Sequence, residues 1–392
     1  MTRATFWTDE RLTLYPRAVL AALVAAGLLV SLGDASGPTG GGLGGDYAAF
    51  HAAGSIVASG DTAQLYDWQR QAAAQTGLHP DDPTGFLAFA YPPFVAAAYA
   101  PLSLLPFPLA WALHTSFMAA CLAAAAIALR PRLGSLGVWT AALVALAVTW
   151  YPMFRSLLGG QNTPLTLVLF AFTWRLWVDG RRDAAGVCAA LLLYKPQFGI
   201  PLLGLLALAD RRVLRGALPT AAGLWLVGVG LAGPGWVGWW WSQIARFHLL
   251  DQSVNAANSV GLLGTAEAIF GPGTPLAFGV GGLLTAACVA WLMALWARTT
   301  DADQRFATTA AALVLVPPHS MFYDAGLGAL SLWWCAAQGW GSVVALGWGA
   351  GLTGLLATAL GTQPLAAVLA GLAAVTARGA PRSRETEGPR AP

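Results

Sequence analysis

Apolar runs of bilayer length recur along this chain, and they leave it few ways to fold. In hydrocarbon every backbone N–H and C=O must be satisfied within the structure, so only helices and closed barrels cross a membrane. A spanning helix needs about 20 mostly apolar residues. Runs near that length lie at 17–33, 107–129, 135–154, 163–178, 216–232, 276–297, 304–318, 322–338, 341–359 and 364–377. The stretch 184–209 is too long for one span and is interrupted by Lys195-Pro196. Proline disfavours helix at the residue before it, so this stretch reads as helices 184–194 and 196–209 meeting at a turn. The stretch 92–105 is short, holds Pro92, Pro93 and Pro101, and reads as re-entrant or interfacial. The expectation is an all-α polytopic membrane protein with about twelve transmembrane helices. Composition agrees: hydrophobic residues make up 57% and charged residues 10%, against roughly 25% charged in soluble chains. A soluble enzyme, a disordered protein and a nucleic-acid binder are excluded. The four cysteines all lie inside apolar runs, so neither a disulfide nor a cysteine metal site is expected.

Arginine placement orients the spans, because cytoplasmic loops collect Arg and Lys. With the N-terminus inside and 92–105 not crossing, the Arg130/Arg132, Arg181/Arg182, Arg211/Arg212/Arg215 and Arg298/Arg305 groups and the C-terminal arginines all fall inside. Only Arg70, Arg155 and Arg246 remain towards the outside. This gives a cytoplasmic N-terminus (1–16), one transmembrane domain (17–377) and a disordered cytoplasmic tail (378–392). Residues 34–106 form a large first outer loop carrying short surface helices. Residues 17–33 also have the outline of a secretory signal, but the core is long for one and is read as an uncleaved first helix. The protein is expected in the cell (inner) membrane, multi-pass.

With this topology the unusual polar segments gather on the extracytoplasmic face. Asp46 follows a glycine run where a helix could begin; an N-cap role is the simple reading. Tyr91 opens FAYPPFVAAAYAPLSLLPFP; Arg155, Gln161 and Asn162 lie in MFRSLLGGQNTP. Lys195 is the sole lysine among 21 basic residues and stands with Gln197 in the YKPQF turn. A Trp-rich loop, read as an interfacial aromatic belt, contains Arg246 and His248, and VPPHSMFYD supplies His319, Ser320 and Asp324. A charge inside an apolar run costs roughly 2.5–3.5 kcal/mol on insertion scales and usually marks function, which singles out Lys195 and Asp324. One outer carboxylate, a few cations at bilayer depth and interfacial aromatics suit a lipid-linked anionic substrate. The cations would hold its phosphate, and the carboxylate would take a proton from an incoming hydroxyl. The chain has no Walker-type glycine loop, HExxH or CxxC.

The order GGDYAAFHAAG, AYPPFVAAAYAPLSLLP, GQNTPLTLVLF, RRDAAGVCAALLLYKPQFGIPLLGLLAL, NSVGLLG, PPHSMFYD resembles glycosyltransferase family 87 across about residues 17–340. The resemblance implies a GT-C type fold, a polyprenyl-phosphate sugar donor (mannose in the first instance) and an acidic catalytic base matching Asp46. It also implies active-site places for Gln161, Asn162, Lys195, Gln197, His319 and Ser320. Asp46 is followed by Tyr47 rather than a second acid, so no metal and no other cofactor is expected, with Asp61, Asp67, Asp81 or Asp82 as reserve carboxylates. The implied partners are the donor, a lipid or glycan acceptor and the bilayer. A transporter or flippase of lipid-linked saccharides is the competing reading, but it would favour matching broken helices in two halves, and only one Lys-Pro break is seen. A scaffold without chemistry gives no reason for Asp46, Lys195 and His319 to share a face.

Overall fold

The computed structural model describes residues 44–76, 78 and 87–379. The expected N-terminal segment 1–16, the first span 17–33, Asp81, Asp82 and the tail beyond Gly379 lie outside these residues. Among the described residues the chain is helical throughout, joined by turns and one isolated bridge between Ser259 and Met321. The N-terminal part holds α1 (Tyr47–Ala58), α2 (Trp68–Thr76), α3 (Pro93–Ser103) and α4 (Phe107–Leu129). Then come α5 (Thr140–Val148), α6 (Tyr151–Leu158), α7 (Thr163–Val178), α8 (Arg182–Leu191), α9 (Pro196–Ala209) and α10 (Leu214–Ala232). The remainder is α11 (Trp236–Asn255), α12 (Leu262–Phe270), α13 (Pro275–Arg298), α14 (Ala302–Ala312), α15 (Ala329–Ala337), α16 (Gly341–Ala350), α17 (Ala357–Leu360) and α18 (Leu365–Thr376).

Among the described residues, four helical segments are long and apolar enough to cross a membrane: Phe107–Arg132, Arg211–Ala232, Pro275–Arg298 and Gly341–Leu360. They coincide with four of the expected spans. The run 135–154 is not one straight span. It breaks into α5 and α6, bent by 78°, because a helix cannot run on through Pro152, which lacks the N–H and crowds the preceding turn. Trp150 is extended (φ −72°, ψ 125°), and Pro152 sits in the first turn of α6, where its missing N–H costs nothing. The run 304–318 stops early: α14 tightens to a 3₁₀ turn at Leu313–Leu315 ahead of Pro317-Pro318. The run 322–338 likewise opens as a 3₁₀ turn, Phe322–Gly328, before α15. The Trp-rich segment read as a loop is instead the 20-residue helix α11. Of its tryptophans, Trp239 and Trp241 are exposed, while Trp236 is buried. The Lys195-Pro196 break is present: a 3₁₀ turn, Leu192–Tyr194, leads into Lys195 at φ −120°, ψ 80°, and α9 starts at Pro196.

Small residues let helices approach closely, as membrane packing favours. Gly186 of α8 lies against the Val213 carbonyl, and Gly216 of α10 against the Asp183 carbonyl. One hydrophobic core runs from Tyr47 on α1 to Ala373 on α18.

The bundle has two chemically distinct ends. At one, Arg132 after α4 pairs with Asp303 on α14, which also accepts from Trp174 near the end of α7 at 2.8 Å. There too, Arg182 pairs with Asp210 at 3.1 Å, and Gln304 donates to the Ala377 carbonyl at 2.7 Å. At the other end lie the starts of α1, α4, α7 and α9. The 16 residues of α7 separate the two ends by about 24 Å at 1.5 Å per residue.

Candidate active site

Two tight turns create the site. The turn before α1 docks on the turn between α6 and α7: the Gly44 N–H donates to the Leu158 carbonyl at 3.3 Å and the Tyr47 N–H to that of Gly159 at 3.2 Å. Gly160 permits this approach. Its φ is +70°, and a Cβ there would lie 2.5 Å from Tyr47 Cβ. The docking sets Gln161 beside Asp46, and Gln161 Nε2 donates to the Asp46 carboxylate at 2.7 Å. Asp46 occupies the N-cap position of α1, yet its side chain makes no cap hydrogen bond. The simple capping role is therefore not what this carboxylate does. Burial raises its pKa above the ordinary aspartate value; the Gln161 hydrogen bond and the charges of Arg155 and Lys195 pull it back, while Asp251 pushes it up.

Behind this pair lies a buried ion pair. Lys195 Nζ donates to Asp324 at 2.7 Å, with side-chain exposures of 1% and 6%. The other Asp324 oxygen accepts from the Met321 N–H at 3.2 Å. Lys195 Nζ also lies 5.8–6.0 Å from the ring centres of Tyr91, Phe198 and Tyr323. The Tyr194 hydroxyl donates to the Asn162 carbonyl at 2.9 Å, and the Tyr91 hydroxyl lies 3.5 Å from Asn162 Oδ1. The segments carrying YPP, GQN, KPQ and the aspartate of FYD are thus knitted together. Because Asp324 neutralises it, Lys195 is not a free cation. Arg155 is: it is exposed, acts on Asp46, lies 5.6 Å from the Phe322 ring centre and has no carboxylate partner among the described residues.

A third layer comes from α11. His319 Nδ1 faces Asp251 Oδ2 at 3.5 Å, and His248 Nε2 faces Glu267 Oε2 at 3.3 Å. Burial lowers the His319 pKa, favouring the neutral ring despite its acidic neighbours. Ser320 is buried; its carbonyl accepts from the Val260 N–H at 2.8 Å, while its hydroxyl has no hydrogen-bond partner among the described residues. Gln161 Oε1 and Asn162 Nδ2 are likewise buried without hydrogen-bond partners among the described residues. Native proteins leave few such groups unpaired, so this end holds donors and acceptors available to a polar ligand or water. An apolar cavity of about 180 Å³ is lined by Pro92, next to Tyr91, by Pro196, next to Lys195, and by Trp225, Trp236 and Trp240.

Of the residues singled out from sequence, Asp46, Tyr91, Arg155, Gln161, Asn162 and Lys195 are brought together, with His319 and Ser320 in the adjoining layer. Gln197 is half-buried on the first turn of α9 and has no hydrogen-bond partner among the described residues. Arg246 stands apart, its guanidinium 3.7 Å over the Trp68 ring. Of the reserve carboxylates, Asp61 pairs with Arg70 at 3.1 Å and Asp67 accepts from the Arg70 N–H at 2.9 Å. The second carboxylate acting on Asp46 is Asp251, which sequence reading passed over. Its one local signal was its place three residues after His248, on one face of a helix not foreseen.

The model of the family described as glycosyltransferase family 87 matches residues 89–318. Tyr91, Arg155, Gln161, Asn162, Lys195, Gln197 and Arg246 fall inside the match; Asp46 precedes it, and His319 and Ser320 follow it. No curated protein and no solved structure matches the chain.

Proposed function

Since the chain belongs to glycosyltransferase family 87, we propose that it moves a hexose, mannose in the first instance, from a polyprenyl-phosphate donor to a hydroxyl of a lipid or glycan acceptor. The reading places the transfer at the extracytoplasmic face of the cell membrane, in a GT-C type fold of about twelve crossings. The observation that carries it is the Asp46–Gln161 pair. This carboxylate does not cap its helix, is held by a buried amide donor, and lies at the end of the bundle opposite the arginine clusters.

In the proposed step the acceptor oxygen attacks the anomeric carbon while the bond from that carbon to the phosphate oxygen breaks on the opposite face, inverting the centre. Asp46 takes the acceptor's proton, and the polyprenyl phosphate leaves with the bonding electrons. A raised pKa makes Asp46 a better proton acceptor. Arg155 stabilises charge on the departing phosphate. Lys195, tied to Asp324, serves mainly to hold the KPQ turn against Tyr91 and Asn162. The apolar cavity lined by Pro92 and Pro196 fits the first isoprene units of a donor whose tail stays in the bilayer.

Asp46→Asn tests the reading. Asparagine keeps the size and can still accept from Gln161 Nε2, so the fold should persist. General-base catalysis contributes roughly 10²–10⁴-fold. Purified Asp46→Asn, assayed with a polyprenyl-phosphate hexose, should lose activity in that range. Activity within a few-fold of wild type would remove Asp46 from the mechanism.

A further inference from the structure

We infer that the arginine-rich end of the bundle carries a second binding site, which holds the phosphate of an anionic phospholipid. A cavity of about 420 Å³ opens there, lined by Gly180, Arg181, Arg182, Asp183, Ala184, Arg212 and Arg215. Two of these arginines are already engaged. Arg182 pairs with Asp210 at 3.1 Å, stacks on Trp177 at 4.1 Å from its ring centre and donates to the Trp177 carbonyl. Arg212 pairs with the same Asp210 at 2.9 Å. Arg181 and Arg215 are exposed and have no carboxylate partner among the described residues. Asp183 and Asp210 offset only part of the charge, so two positive charges remain in excess around the cavity. The cavity also meets the first turn of α8, whose leading N–H groups have no intrahelical acceptor and favour an anion.

The apolar surface beyond the arginines selects a lipid over a soluble phosphate. Further along α8 and α10, Val187, Leu191 and Leu218 are exposed by 38%, 38% and 63%. Guanidinium groups at the helix ends with apolar side chains running on from them match a phosphate headgroup followed by its acyl chains. The site is distinct from the Asp46 cluster, because the full length of α7 lies between them.

The test uses the full chain in zwitterionic micelles, with phosphatidylglycerol or phosphatidylcholine added and retention read by native mass spectrometry. Wild type should retain phosphatidylglycerol in preference. Each interfacial arginine contributes about fivefold to anionic-lipid affinity, so Arg181→Gln with Arg215→Gln should weaken phosphatidylglycerol by about 25-fold and leave phosphatidylcholine unchanged. Arg181→Lys with Arg215→Lys keeps the charge and should keep most of the preference. Glycerol 3-phosphate should not displace the lipid. Equal retention of the two lipids, or no effect of the Gln pair, overturns the inference. Displacement by glycerol 3-phosphate overturns the lipid assignment and makes this a soluble phosphate site.

Discussion

Replacing Lys195 by methionine preserves the methylene stem and deletes the charge. Asp324, with a side chain 6% exposed, then loses the partner held at 2.7 Å. Removing one member of a buried ion pair costs about 3–5 kcal/mol, because the remaining charge stays out of water. Lys195→Met should therefore destabilise the protein by about 4 kcal/mol. Lys195→Met combined with Asp324→Asn removes the uncompensated charge while still accepting from the Met321 N–H, and should recover all but about 1–2 kcal/mol. Unfolding of the purified protein by SDS titration in mixed micelles, followed by tryptophan fluorescence, measures all members of the cycle. A loss under about 1 kcal/mol for Lys195→Met, the value of an exposed pair, would refute the buried-pair account. A folded double variant without activity would show that Lys195 also handles the donor.

Three further outcomes follow from the site. Asp46 must be ionised to act as a base, and Gln161 holds its raised pKa down, so Gln161→Leu should move the acidic limb of the kcat/KM profile to higher pH; an unmoved limb refutes the pairing. Gly160→Ala puts a side chain at φ +70° against Tyr47, costing at least about 1–2 kcal/mol and separating Asp46 from Gln161; wild-type melting temperature and activity would contradict this. A reporter fused after Gly44 should read as extracytoplasmic and one after Arg182 as cytoplasmic, and the reverse pattern would sink the orientation.

Much of the fold was legible because bilayer insertion is a local matter of length and apolarity. The runs 107–129, 216–232, 276–297 and 341–359 fulfil both, and each appears as a helical segment of spanning length. The Lys195-Pro196 break was equally local, since proline's steric demand acts on its immediate neighbour. Pro152 divides 135–154 for a different reason: a helix cannot run on through a proline that lacks the N–H and crowds the preceding turn, so a new helix begins at Tyr151. The helix α11 was missed because its tryptophans suggested an interfacial loop, whereas only Trp239 and Trp241 face outwards.

The sequence by itself determined a helical membrane protein, the segregation of its arginines, the choice of Asp46 and Lys195 as residues to question, and the likeness to a glycosyltransferase family. Tertiary structure alone decided who meets whom. Asp46 meets Gln161 across 115 positions, and Lys195 meets Asp324 across 129. No local propensity encodes such pairs, because they depend on how two turns dock and how the starts of α1, α7 and α9 gather at one end. That docking converted Asp46 from a candidate helix cap into a held carboxylate, and Lys195 from a candidate free cation into half of a buried pair. The physical reason is that a charge's role depends on its neighbours in space, through desolvation and hydrogen bonding, while sequence records only its neighbours along the chain.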